Sequence, residues 1–136
     1  MAKNESIPKL NKPLDNRIVG HDLVAVDQLL ANPRNWRLHP RNQQEALAGS
    51  IDDVGFIRSL TVNRITGCVL DGHARVTLAA RSGVEALPVE WVELSEADEA
   101  KALALLDPIS AMAEADTTKL DELLRIVNSD DARVQE

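Results

Sequence analysis

The segment Val69-Leu70-Asp71-Gly72-His73-Ala74-Arg75 carries the densest chemistry in the chain. An apolar run enters Asp-Gly, and a helix is predicted to begin at once. Such a junction gathers unpaired backbone N–H groups and the positive end of the helix dipole at one point. Gly72 lets a ligand approach the backbone closely. Arg75 lies one turn into the helix and can reach back to the same point. His73, beside it, can donate, accept or ligate. The chemistry that suits this arrangement is anion binding, most simply of a phosphate. Asp71 and His73 also offer an acid–base pair, and Asp71 an oxygen ligand for a divalent ion such as Mg2+ held alongside a phosphate. The motif D-G-x-x-R is short, and an N-cap, a turn glycine and a surface arginine would read the same way.

A second polar segment adds to it. Asn32-Pro33-Arg34-Asn35-Trp36-Arg37-Leu38-His39-Pro40 is a loop held between prolines. Arg34, Arg37 and Asn35 are the residues there expected to clasp phosphate oxygens, because a guanidinium offers a planar fork of donors. His21, His39 and His73 are too dispersed to define a metal site by spacing. Asp52-Asp53 read as a solvated helix face, Trp91 as core, and Trp36 as divided between core and ligand.

The elements that must position these groups follow from pattern. Residues 1–21 are polar and read as a mobile arm, with order beginning at Asp22. Leu23–Val26 suits a strand. After Pro40, Leu47, Ile51 and Val54 form the inward stripe of a helix that Gly55 stops. Leu60–Arg64 and Cys68–Leu70 read as a hairpin around Ile65-Thr66-Gly67. The helix from Gly72 turns Ala74, Leu78 and Ala79 inward and ends at Gly83. Leu87–Val92 is the next strand, with Pro88 marking its start or an edge. Ser95 caps a helix over Glu96–Leu106 that Asp107-Pro108 interrupts, and a short piece covers Ser110–Glu114. Thr117 or Thr118 caps a last helix with Leu120, Leu123, Leu124 and Val127 on one face, ended by Asn128–Asp131. The tail Ala132–Glu136 reads as the cut end of a longer chain. The class is α+β: a small mixed sheet with packed helices over residues 22–94, followed by an acidic helical extension over 95–136.

Composition narrows the partners. The 136 residues carry a net charge of −7, but residues 1–81 hold 11 Lys/Arg against 8 Asp/Glu while residues 82–136 hold 4 against 14. An anion site therefore belongs between about residue 34 and residue 81. The acidic extension argues against DNA binding by this chain alone. Aromatics are 2%, too few for a base-stacking platform. One cysteine, Cys68, excludes an internal disulfide framework. No stretch suits a membrane helix and the start is no secretory signal, so a cytoplasmic setting is expected.

Taken in order, Asn32-Pro33-Arg34, Leu47-x-x-Ser50-Ile51-x-x-Val54-Gly55, Leu60-x-Val62, Gly67-x-Val69-Leu70-Asp71-Gly72-His73-x-Arg75, Ala79, Gly83 and Pro88-Val89 resemble the N-terminal domain of ParB, in the ParB/sulfiredoxin superfamily. The version here is similar to the domains of phages and mobile elements that precede DNA methyltransferases. The resemblance implies a nucleotide or phosphate pocket at the Gly72 helix start. Gly72 and Arg75 match ParB's Gly-Glu-Arg-Arg box, with His73 in place of Glu and Ala74 in place of the first Arg. Against sulfiredoxin's Gly-Cys-His-Arg box, His73 stands where the catalytic Cys belongs, which excludes that reductase chemistry. ParB's later Glu-Asn-x-x-Arg segment has no counterpart at Leu106–Ala111.

Three functions follow. The first is a nucleotide-binding module in a DNA-processing context, taking CTP or ATP through Gly72, His73 and Arg75 with Arg34, Asn35 and Arg37, and meeting DNA through a partner or a missing domain. The second is a metal-dependent nuclease or nucleotide hydrolase using Asp71 and His73. The third is a noncatalytic module that dimerises or binds a protein through its C-terminal helices.

Overall fold

The computed structural model describes residues 7–128. Four strands and four helices follow in the order β1 (Ile18–Ala25), a 3-10 turn (Val26–Gln28), α1 (Arg41–Val54), β2 (Leu60–Asn63), β3 (Val69–Asp71), α2 (His73–Arg81), β4 (Ala86–Val92), α3 (Glu96–Ala111) and α4 (Thr117–Val127). The strands form one sheet in the order β1-β4-β2-β3. β4 pairs antiparallel with β1 and parallel with β2, and β2 pairs antiparallel with β3. The fold is α+β with a mixed sheet, as the sequence implies. Among the described residues no helix is long and apolar enough to cross a membrane.

Alternation along the strands builds two cores. Leu60, Val62, Val69, Leu87 and Val89 pack with Ala79 of α2 on one face, supported by half-buried Phe56, Val76 and Trp91. Leu70 and Val92 point to the other face and meet Leu103 of α3. The β3–α2 junction sits between these layers, so both cores fix it.

Several sequence expectations need correction. Order begins before Asp22: β1 starts at Ile18, and Arg17 exchanges hydrogen bonds with Glu93, its amide oxygen accepting at 3.1 Å and its Nη1 donating at 3.2 Å. Pro88 lies inside an interior strand. It is tolerated because β2 begins opposite Val89, so that side of Pro88 lacks a strand neighbour. Val54 is exposed rather than part of the α1 stripe, because the helix ends there and Gly55 turns away at φ 99°. α3 runs through Pro108 to Ala111 and absorbs the start of the expected short piece. The proline removes one N–H, and the residue whose carbonyl loses that partner, Ala104, is exposed. Asp116 caps α4, its carboxylate accepting the Lys119 amide at 3.2 Å. The readings of residues 1–6 and 129–136 lie outside the described residues.

A buried polar clasp fixes α3 to the hairpin. Asn63, fully buried, donates to the Leu94 carbonyl at 3.0 Å and to Glu99 Oε1 at 3.1 Å. Its Oδ1 accepts the amides of Leu94 at 3.1 Å and Ile65 at 3.2 Å. Thr66 Oγ1 completes the set, donating to Glu99 at 2.7 Å. Asn63→Ala strands several of these groups in the core, and is expected to lower stability by about 3 kcal/mol. Urea denaturation checks this; a loss near that of an exposed alanine substitution contradicts it.

Candidate functional site

Gly72 stands at the head of α2 with φ 107°, a left-handed conformation that glycine adopts without strain. A Cβ there would fall on Leu60 and lie 3.1 Å from the Arg75 guanidinium. The residue is thus required by both conformation and space. No side chain caps the helix, so the amides of its first turn remain available.

Around this point lies a cavity of about 240 Å³. Asp71, Gly72, His73 and Arg75 line one side, and Arg37, Arg58, His39, Gln43 and Gln44 the other. Arg37 and His39 come from the proline-bounded loop, Arg58 from the link into β2, and Gln43 and Gln44 from α1. The N-terminus of α2 therefore faces one space together with three guanidiniums and one carboxylate. The electrostatics favour an anion. The volume suits a phosphate chain rather than a whole nucleotide. A second cavity of about 490 Å³ adjoins it beneath α3 and shares Arg37, Arg58 and Asp71.

Asp71 organises the cations. Its Oδ2 accepts from Arg75 Nη2 at 3.2 Å and Arg58 Nη2 at 3.4 Å, and its Oδ1 from Arg37 Nη1 at 3.5 Å. Arg75 is the most committed. It also donates to the Arg58 and Ser59 carbonyls, lies over the Phe56 ring at 5.8 Å, and its side chain is only 11% exposed. Burial pushes its guanidinium below the ordinary arginine range, with Asp71 opposing. Arg37 reaches the Leu70 carbonyl at 3.1 Å and pairs with Asp107 of α3. Arg58 is the most exposed of the three, at 76%, and Asp71 is its ion-pair partner.

The structure brings together Asp71, Gly72, His73, Arg75 and Arg37 from the predicted set. It does not bring Arg34 and Asn35 to the cavity. The Arg34 amide donates to Asn32 Oδ1 at 2.9 Å. The Asn35 amide donates to the Asn32 carbonyl at 3.0 Å, and its Oδ1 accepts the Arg37 amide at 3.4 Å. Both shape the turn that presents Arg37. Trp36 is half exposed and donates through Nε1 to the Leu103 carbonyl at 2.8 Å, tying the loop to α3. Arg58, Gln43 and Gln44 were not expected. Arg58 lies 13 residues before Asp71 in the link to β2, and only the β2–β3 pairing folds it back. Among the described residues no group of three His, Cys, Asp or Glu side chains could hold a metal. Asp71 alone offers a carboxylate.

No protein-family model matches the chain, and no curated protein matches it in sequence. Solved structures do match in fold. A C-terminally truncated chromosome-partitioning protein ParB from Caulobacter crescentus, complexed with CTP-gamma-S, superposes with a TM-score of 0.63 at 19% identity, over 82% of this chain and 64% of that one. A pNOB8-like ParB N-domain superposes with a TM-score of 0.53 at 19% identity, over 67% of this chain and 34% of that one. A second structure of this kind gives 0.52 at 20% identity, over 61% and 33%. The chain thus spans less than two thirds of these proteins' lengths. At such identities the likeness shows the fold, and that fold is ParB-like.

His73 supplies a pH test. Its Nε2 accepts the Asn32 amide at 3.2 Å, which requires a neutral ring. Burial, then Arg37, lowers its pKa from the ordinary 6.5, while Asp71 opposes. Below that value the unfolded chain binds a proton that the folded protein resists, so stability falls as pH drops through 6.5. Wild type is expected to lose more urea resistance than His73→Gln between about pH 7 and about pH 5; equal slopes contradict the assignment. Gly72→Ala is expected to lower stability by about 2 kcal/mol or more, read from thermal melting. An unchanged melting temperature contradicts the close packing at Leu60.

Proposed function

We propose that this chain is a nucleotide-binding module whose phosphate site is the cavity at Gly72, and that it serves a DNA-processing event in the cytoplasm. One observation carries the reading: the uncapped N-terminus of α2 and three guanidiniums converge on one cavity whose lining holds a single carboxylate. The fold likeness to a ParB solved with CTP-gamma-S supports a nucleoside triphosphate, CTP or ATP, as the ligand. In this reading the phosphate chain lies on the His73–Arg75 amides. Arg58 swings onto it from solvent, while Arg37 and Arg75 stay held by Asp71 as a preset cationic wall. Mg2+ would arrive on the phosphates; Asp71 is the one carboxylate lining the cavity and would have to leave an arginine to ligate it.

Asp71 and His73 enter this reading as binding groups. The carboxylate is engaged by three guanidiniums and His73 Nε2 by the Asn32 amide, so an acid–base pair would first have to be released from both. DNA contact is assigned to a partner or neighbouring domain, because residues 82–136 are strongly acidic. The exposed Leu120, Leu123 and Leu124 of α4 suit a homodimer or protein contact. The setting of a phage or mobile element, ahead of a DNA methyltransferase, rests on the sequence motifs.

Titration calorimetry with CTP, ATP and GTP tests the reading. At least one triphosphate is expected to bind. Arg58→Ala should weaken it about tenfold, the scale of one charge-assisted hydrogen bond, and leave melting unchanged because the side chain is exposed. Arg75→Ala is a poor probe, since that guanidinium is built into the fold. Absence of binding by any triphosphate contradicts the reading.

A further inference from the structure

Two polar groups next to the cavity have no partner. Asn32 is 4% exposed, and its Nδ2 is buried without an acceptor. His73 Nδ1 is in the same position. Their orientations are fixed by the bonds they do make. Asn32 Oδ1 accepts the Arg34 amide at 2.9 Å, so the side-chain nitrogen is the unpaired end. His73 Nε2 accepts the Asn32 amide at 3.2 Å, so the ring proton resides on Nδ1. Both orphans are therefore donors, and they belong to two residues joined by a hydrogen bond. Folded proteins seldom leave one such group, and each calls for an explanation. Two donors with no acceptor call for an acceptor.

We propose that His73 and Asn32 form a donor-only subsite for an uncharged acceptor oxygen of the nucleoside, a base carbonyl or a sugar oxygen. This rests on the nucleotide-binding reading above. His73 lines the cavity, and Asn32 adjoins it through the bond from its amide to Nε2. The ring must be neutral to keep the Asn32 contact, and an amide is uncharged. The cations of the site stand elsewhere, on Arg37, Arg58 and Arg75. The division of labour is that guanidiniums and helix ends hold phosphate, while the neutral donors read the nucleoside. His73 is thus a specificity residue, and Asn32 positions it.

The test compares binding of pyrophosphate, CTP and ATP by wild type, His73→Phe and His73→Gln, with circular dichroism to verify folding. His73→Phe should weaken CTP about tenfold, the size of one lost hydrogen bond in a desolvated site, and leave pyrophosphate unchanged. His73→Gln, which keeps a donor, should recover part of the loss. If CTP alone weakens, the oxygen is a base carbonyl, which adenine lacks; if ATP weakens equally, it is a sugar oxygen. His73→Leu, which removes the donor without adding charge, should likewise weaken CTP and spare pyrophosphate, and serves if His73→Phe does not fold. Equal loss of pyrophosphate and CTP in these variants overturns the subsite, as does no loss of either. If wild type binds neither pyrophosphate nor any nucleotide, the phosphate reading itself has failed.

Discussion

The Asp71 carboxylate is the interaction on which the rest of the site depends. It lies at the end of β3, where the sheet hands over to α2, and it faces Arg37, Arg58 and Arg75 within 3.5 Å. Those arginines come from the proline-bounded loop, the link into β2 and the first turn of α2. Three guanidiniums at one point repel one another, and Asp71, with Asp107 on the far side of Arg37, compensates them only in part. The site keeps excess positive charge in a shape already set, so an anion need not gather its own ligands. That preorganisation is what distinguishes a binding site from a surface that happens to be basic.

The same carboxylate links the two faces of the sheet. Arg37 touches Asp71 on one side and Asp107 of α3 on the other, and Trp36 beside it donates to the Leu103 carbonyl. α3 is also tied at its start by Glu99 to Asn63 and Thr66. The helix that the sequence marks as acidic is thus docked by specific polar contacts, with a small apolar contribution from Leu103. Its acidic residues, Asp107 among them, act partly as counter-ions to the arginine-bearing domain.

Much of this was legible in the sequence because it rests on local rules. Asp-Gly after an apolar run located the junction, and the hairpin and the α2 stripe followed from period and turn chemistry. Gly72, Arg37 and Arg75, named from their residue types, line one cavity. The missing parts depend on tertiary return. Arg58 reaches Asp71 only because β2 and β3 pair, and Gln43 and Gln44 of α1 reach the cavity only because α1 and α2 lie together. Arg34 and Asn35 had the right chemistry and the wrong direction, since Asn32 draws their backbone amides into a turn. Pro108 reads as a break because a proline lacks a donor, yet it sits on an exposed stretch of α3 and the helix continues.

The central claim is that an anion seats on the amides at the start of α2. Amide chemical shifts recorded by nitrogen-15 NMR while pyrophosphate is added test it directly. The account predicts that the amides of His73, Ala74 and Arg75 move first and furthest, with the Arg58 side chain following. Shifts absent from those three amides, or centred on residues away from Gly72, would contradict it.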